Sequence, residues 1–483
     1  MKIYTFKRVL ATAIMTWGLA ACSSLIEVKP RTSIDSGTAL TSQEAINAAV
    51  NAVYDALQST DLYGRDLIAL PEALSDNGRA TNNSSRLVPE YQNQSGAHMI
   101  NWTQDYYGIN QANLVLDALT KVKLTDALRN SYEGQCLFLR ALMYFDLVKV
   151  YAYMPTATIS DYNRGGVPLI LSGVLTLPQV TYPDRAATDA VYTQILADLT
   201  AAIDKLSATA KTRGPIYATQ GAAQALYSRV ALYAGKYQEA ADFATKALAS
   251  GIGTFQPKAN YIAGWRTAIN PESMFEINFQ TSENIGVNTS LQTTFTTLTA
   301  VGNRTTTGGF GDLVPTVALL ADLESEKDAS GAVLDIRRQL YELGTSGRGA
   351  VNTETTKFLG KNGTINLDNV PVIRISEMYL NRAEAYYRLG KEADAIKDLN
   401  TIRTRSGLAE KTTLTGAALL DEIIKQRRLE FAFEGHRFWD LKRLGRDIVK
   451  LPTTVPFTDY RILARIPIAE INNNPKLKQN YNY

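Results

Sequence analysis

N-V-P-V-I-R-I-S-E-M-Y-L-N-R-A-E-A-Y-Y-R-L-G-K-E-A-D-A-I-K-D-L-N-T-I-R-T-R-S-G-L, residues 369–408, decides the fold of this chain. Apolar and small residues recur at Ile375, Met378, Tyr379, Ala383, Tyr386 and Leu389, the spacing of one face of an α-helix. Gly390 ends that helix, since glycine enters the left-handed conformation of a C-terminal stop without steric cost. A second helix carries Ala393, Ile396, Leu399, Asn400 and Ile402 on one side and stops at Gly407. Leu389-Gly390-Lys391 joins the two, and small residues stand where they cross.

Such a pair is a tetratricopeptide-like hairpin. Leu419 to Phe433 is a further helix, Gly435 breaks it, and His436 to Leu444 restarts it with Phe438, Trp439 and Leu441 inward. Glu430, Glu434, Arg437, Asp440 and Arg443 alternate in sign at spacings of three and four, which predicts ion pairs along one face. This combination resembles the SusD/RagB family of Bacteroidetes outer-membrane nutrient-binding lipoproteins. The resemblance rests on P-V-I-R-I-S-E-M-Y-L-N-R-A-E-A (Pro371 to Ala385), R-R-L-E-F-A-F-E-G-H-R-F-W-D-L-K-R (Arg427 to Arg443) and G-G-V-P-L (Gly165 to Leu169). It is strongest over 131–151, 165–249 and 371–446. It implies a mostly α fold: a helical-hairpin scaffold carrying a loop-rich, irregular ligand-binding cap.

At the N-terminus, Lys2, Lys7 and Arg8 precede an apolar run from Val9 to Ala21, and Leu19-Ala20-Ala21-Cys22 has the form of a lipobox. The run is too short to span a bilayer, which takes about 20 apolar residues. Residues 1–21 therefore read as a lipoprotein signal peptide, Cys22 as the lipidated residue, and 22–40 as a tether. Cleavage removes three of the 50 basic residues, leaving 47 against 47 acidic ones. A neutral chain with no basic run has no general electrostatic hold on nucleic acid, and its net charge gives no reason to expect a polyanionic ligand. With Cys22 committed to lipid, the second cysteine, Cys136, has no disulfide partner and sits in an apolar helical run as a core residue.

Residues 41–483 read as one domain. Thr41 and Glu44 have capping-box spacing at the first helix. Hairpins are expected around 101–151, 188–249 and 376–444. The repeat is clearest in Y-S-R-V-A-L-Y-A-G-K-Y-Q-E-A-A-D-F-A-T-K-A-L, whose Ala240, Ala244 and Ala247 allow close helix approach. Periodicity is lost over 62–99, rich in Asp, Asn, Gly and Ser, and over 254–370, rich in Thr and Gly. These two segments are the expected cap. Within the second, S-M-F-E-I-N-F alternates like a strand.

Catalytic signatures are missing: there is no G-x-S-x-G, H-E-x-x-H, Walker or G-x-G-x-x-G motif. Two separated histidines and one free cysteine argue against a His/Cys metal site, while an oxygen-ligand calcium site stays open. No cofactor is expected. Arginines within helical reach of Glu430, Glu434 and Asp440 favour structural pairs over a glycosidase acid/base couple, and His436 reads as a packed or capping residue. Tyrosine outnumbers phenylalanine, 25 to 14, and Tyr144, Tyr227, Tyr379 and Tyr386 fall at core spacing. Tyr63, Tyr91, Tyr261, Trp265, Phe295 and Phe310 lie in irregular segments with no periodic reason to be buried. Such aromatics can stack on the C–H face of a sugar. Tyr91 and Trp265 are the expected platforms, with Asp76, Asn77, Asn82 and Arg304 as hydrogen-bonding partners. The cap segments 62–99 and 254–310 are expected to lie side by side. The resemblance implies a non-catalytic, lipid-anchored protein at the cell exterior. It would bind oligosaccharides for a SusC/RagA-like TonB-dependent outer-membrane transporter. The alternatives are the oligopeptide-binding lid of a RagB-like importer and a helical-repeat interaction scaffold without small ligand.

Overall fold

The structure, a computed structural model, describes residues 40–206, 214–451 and 453–483; the lipobox and Cys22 lie outside them. Its scaffold is built from α1 (Gln43–Ala56), α2 (Asp66–Leu74), α3 (Trp102–Leu119), α4 (Asp126–Tyr151), α5 (Thr188–Lys205), α6 (Gln220–Tyr233), α7 (Tyr237–Ala249), α8 (Lys258–Gly264) and α9 (Val317–Leu323). α10 (Ile375–Arg388), α11 (Glu392–Arg405), α12 (Gly416–Phe431) and α13 (Arg437–Arg443) complete it. The caps are those that side-chain oxygens dictate: Thr125 accepts from Leu128 N at 3.3 Å and Thr219 from Ala222 N at 3.1 Å. At α1 the cap is Ser42, which accepts from Ala45 N at 3.2 Å, one residue later than the Thr41 spacing suggests.

Neighbouring helices pack as antiparallel hairpins α3/α4, α6/α7 and α10/α11, with α4 against α5 and α5 against α6. α7 then lies on α10 although 125 residues separate the end of one from the start of the other; there the Arg382 guanidinium donates to Thr245 Oγ1 at 3.0 Å. The repeat stack is therefore continuous in space, and residues 251–369 leave it and return. Gly390 (φ 73°) closes the α10 turn as expected. Gly435 (φ 79°) is required twice over, because a Cβ there would fall 2.5 Å from Leu67 O.

The excursion forms the cap. β1 (Gly78–Ala80) pairs antiparallel with β3 (Leu313–Pro315), β2 (Ser273–Ile277) with β6 (Val370–Arg374), and β4 (Tyr341–Leu343) with β5 (Thr353–Thr355). The first ladder brings 62–99 against the middle of the other irregular stretch. One expectation fails here. Residues 66–74 are a helix, not loop, and every one of them is buried. A helix enclosed on all sides has no polar face, so it shows no amphipathic period to read.

The alternating charges of 430–443 also pair differently from the expectation. They reach across elements rather than along one face. Arg437 donates to Asp76 at 2.7 and 2.8 Å, not to Glu434 or Asp440. Arg443 does meet Asp440 at 2.9 Å, and it also grips Glu384 of α10 at 2.6 Å. Glu434 is held by Arg374 (2.7 Å) and Lys357 (2.6 Å). Glu430 is held by Arg405 (2.7 Å), Arg374 (3.1 Å) and Arg337 (3.5 Å). Those arginines keep the Glu430 carboxyl far below the usual carboxylate range despite complete burial. His436 is packed, its ring stacked on Phe431 at 4.6 Å, and burial holds it neutral. Cys136 is fully buried with its thiol pushed up to about 12 by desolvation.

Candidate functional site

The cap owes its surface to a hairpin, residues 298–307, closed by the Leu298–Thr307 bridge. Thr, Gly and Asn dominate it, so side-chain hydroxyls and amides replace the ladder: Asn303 Oδ1 accepts from Thr305 N and Thr306 N, both at 3.2 Å. On one side of this hairpin lies a cavity of about 200 Å³. Its walls include Trp265, Thr299, Lys357, Phe358, Lys361 and Asp368. The Lys357 ammonium lies 4.9 Å and the Arg374 guanidinium 5.3 Å from the Trp265 ring. Lys361 Nζ donates to Asn369 Oδ1 (2.7 Å) and Asn278 Oδ1 (3.2 Å). Burial raises the carboxyls of Asp368 and Glu276 in the same wall to about 7. Behind β2, Glu276 also borders a second cavity of about 310 Å³ with Tyr54, Asp55, Gln58, Tyr217 and Glu283.

On the other side the two irregular segments meet. Asn83 Nδ2 donates to Phe310 O at 2.7 Å, Thr81 Oγ1 donates to Gly311 O at 2.7 Å, and Arg86 pairs with Asp312 at 2.7 Å. Two guanidinium groups lie over the Phe310 ring, Arg86 at 4.5 Å and Arg348 at 4.2 Å. The 342–352 loop closes the surface, with Thr345 Oγ1 hydrogen-bonded to Thr307 Oγ1 at 2.7 Å.

The residues singled out in the sequence divide sharply. Asn82 and Arg304 are exposed on this surface, Arg304 Nε donating to Gly344 O at 3.4 Å. Tyr91 is half-buried elsewhere, its hydroxyl donating to Leu451 O at 2.8 Å with Lys450 5.1 Å from its ring. Trp265 is only 8% exposed; it edges the cavity but is first a packing residue against Phe358 and the ion cluster. Asn77 is wholly buried between Glu72 (2.9 Å) and the Arg428 guanidinium (2.7 Å), so it offers nothing to a ligand. Asp76 is spent on Arg437 and Arg428. Of the other loop aromatics, Tyr63, Tyr261 and Phe295 are buried and Phe310 is half-buried. Sequence reasoning missed Arg348 and Phe358. Arg348 stands in a glycine-rich run, S-G-R-G, which reads as bare turn.

The SusD family model matches residues 342–450. A second model, described as starch-binding associating with outer membrane, matches residues 25–232. The chain belongs to the SusD/RagB family. SusD-like protein P38 of Formosa agariphila is 24% identical over 511 aligned positions, covering 96% of each chain. The starch-binding protein SusD of Bacteroides thetaiotaomicron is 34% identical over 125 residues, 24% of this chain and 22% of that protein. Among solved structures, a SusD superfamily protein from B. thetaiotaomicron superposes with a TM-score of 0.79 at 25% identity, over 90% of this chain and 99% of that one. SusD proteins bind and do not catalyse, and Glu430, Glu434 and Asp440, the carboxylates weighed as an acid/base couple, are each held by arginine.

Proposed function

We propose that this protein captures oligosaccharides at the outer membrane and delivers them to a partner TonB-dependent transporter, anchored through an acylated Cys22 and facing the cell exterior. The observation that carries the reading is the cap surface flanking the 298–307 hairpin. It sets a cavity edged by Trp265 and Phe358 beside an exposed field of Asn, Thr and Arg donors and acceptors. Sugars are recognised by that mixture of apolar wall and directional hydrogen bonds. Its position on a scaffold shared with a starch-binding relative supports the same class of ligand.

The test is a glycan array and a peptide-mixture pull-down with protein lacking residues 1–22, followed by calorimetric titration of the ligand found. Phe310→Ala, which removes the ring that carries Arg86 and Arg348, costs about 2 kcal/mol of binding or more. Peptides retained while no glycan binds would overturn the reading in favour of the peptide importer.

A further inference from the structure

Net charge conceals where the charges are. The three segments that meet on the outer side of the hairpin, 78–86, 302–311 and 342–352, hold Arg79, Arg86, Arg304 and Arg348 against a single carboxylate, Glu342. Their formal charge is therefore +3, or +2 once Asp312 beside Arg86 is counted, in a chain that is neutral overall once residues 1–21 are set aside. Arg86 is committed to Asp312. The other three differ from most arginines of this protein, which grip Asp or Glu: Arg79, Arg304 and Arg348 make no ion pair among the described residues. Each has a neutral acceptor instead. The Arg79 guanidinium donates to Asn352 Oδ1 at 2.8 Å, Arg304 to Gly344 O at 3.4 Å, and Arg348 Nε to Gly309 O at 3.3 Å.

A guanidinium carries five N–H groups in a planar fork. One neutral contact apiece fixes the direction of the fork and leaves its remaining donors and its full charge unanswered. Phe310 adds to this fixation, since Arg348 lies over its ring at 4.2 Å. That stacking also changes what the ring can do. With Arg86 and Arg348 both over Phe310, an incoming sugar meets guanidinium edges, not a free aromatic face. Planar forks of this kind match the two oxygens of a carboxylate or sulfate.

Resting on the glycan reading above, we propose that the bound oligosaccharide is anionic. Its uronate carboxylates or sulfate esters would be held by Arg79, Arg304 and Arg348 beside the 298–307 hairpin.

The experiment titrates the protein, extracted from membranes in detergent, with three probes: oligogalacturonate, sulfated galactan oligomers and maltooligosaccharide. Each is run at about 50 and about 300 mM salt, a range over which exposed charges become screened. The anionic probe that fits binds at least about tenfold more tightly than maltooligosaccharide and weakens with salt. The double substitution Arg304→Gln/Arg348→Gln removes at least about tenfold of that affinity at unchanged melting temperature, because both side chains are exposed. Which anionic probe wins separates carboxylate from sulfate. Maltooligosaccharide binding as tightly as either anion, with the double variant unaffected, overturns the anion proposal and leaves glycan capture standing. Failure of all three probes overturns both.

Discussion

Replacing Arg374 by methionine tests what holds the cap to the scaffold. Its guanidinium reaches Glu434 at 2.7 Å, Glu272 at 2.6 Å and Glu430 at 3.1 Å, and all four side chains are at most 3% exposed. Around it, Glu272, Glu430, Glu434 and Asp335 balance Arg337, Lys357, Arg374 and Arg405, four charges of each sign. In Arg374→Met no carboxylate is left wholly alone: Glu434 keeps Lys357 at 2.6 Å, and Glu272 and Glu430 keep Arg405 at 2.8 and 2.7 Å. The cluster nevertheless carries one uncompensated buried negative charge, which costs about 3–5 kcal/mol rather than three times that. Methionine keeps the length of the aliphatic stem but removes the guanidinium that lies 5.3 Å from the Trp265 ring and 5.1 Å from the Phe431 ring, so the loss combines ion pairs and cation–π contacts. Chemical denaturation followed by circular dichroism measures it. The double variant Arg374→Met/Glu434→Gln restores neutrality and recovers more than half of the loss. A single variant within about 1 kcal/mol of the parent, or a double variant no better than the single one, would refute the argument.

Arg437→Ala breaks the pair with Asp76 that ties α13 to the residues before β1, and lowers stability by about 2 kcal/mol, read as a drop in melting temperature. Glu276 gives a pH signature. Its carboxyl is raised from 4.5 to about 7 by burial, so folded protein keeps the proton while unfolded chain releases it, and this contribution to stability is lost as pH rises from 4.5 to 7. Buried His98 and His436, both lowered, act with the opposite sign over part of that window. The quantity to measure is therefore the stability difference from Glu276→Gln, which shifts toward the variant by up to about 3 kcal/mol between pH 4.5 and 7; a constant difference counts against it. Cys22→Ser releases the protein from membranes, checked by fractionation after a high-salt wash, because the acyl chains supply the anchoring.

The helical hairpins were legible because they are amphipathic and punctuated. The α10/α11 pair shows its period and its stop at Gly390 in the residues themselves. The α2 helix was not, for the reason that makes it important: Asp66–Leu74 is enclosed on every side, with Leu67 O pressed against Gly435. A sequence pattern reports contrast between faces, and an enclosed helix has none. The ion pairs fail for a related reason. Spacings of three and four describe neighbours on one helix, whereas Arg374, Arg405 and Asp76 reach the 430–443 run from positions up to 361 residues away.

In the cap, lack of periodicity does not mean exposure: Trp265, Tyr261, Tyr63 and Phe295 are buried because an irregular segment folded over a scaffold still needs a core of its own. Aromatic side chains supply most apolar area per residue, so they are the first to be taken inward. What remains at the surface is the chain that cannot build a core: Asn82, the Thr and Gly of the hairpin, and arginines such as Arg304 and Arg348 that find no carboxylate partner. The exposed chemistry of this cap is thus polar and cationic rather than aromatic. A neutral total charge is compatible with it, because the rest of the chain carries the matching excess of carboxylates.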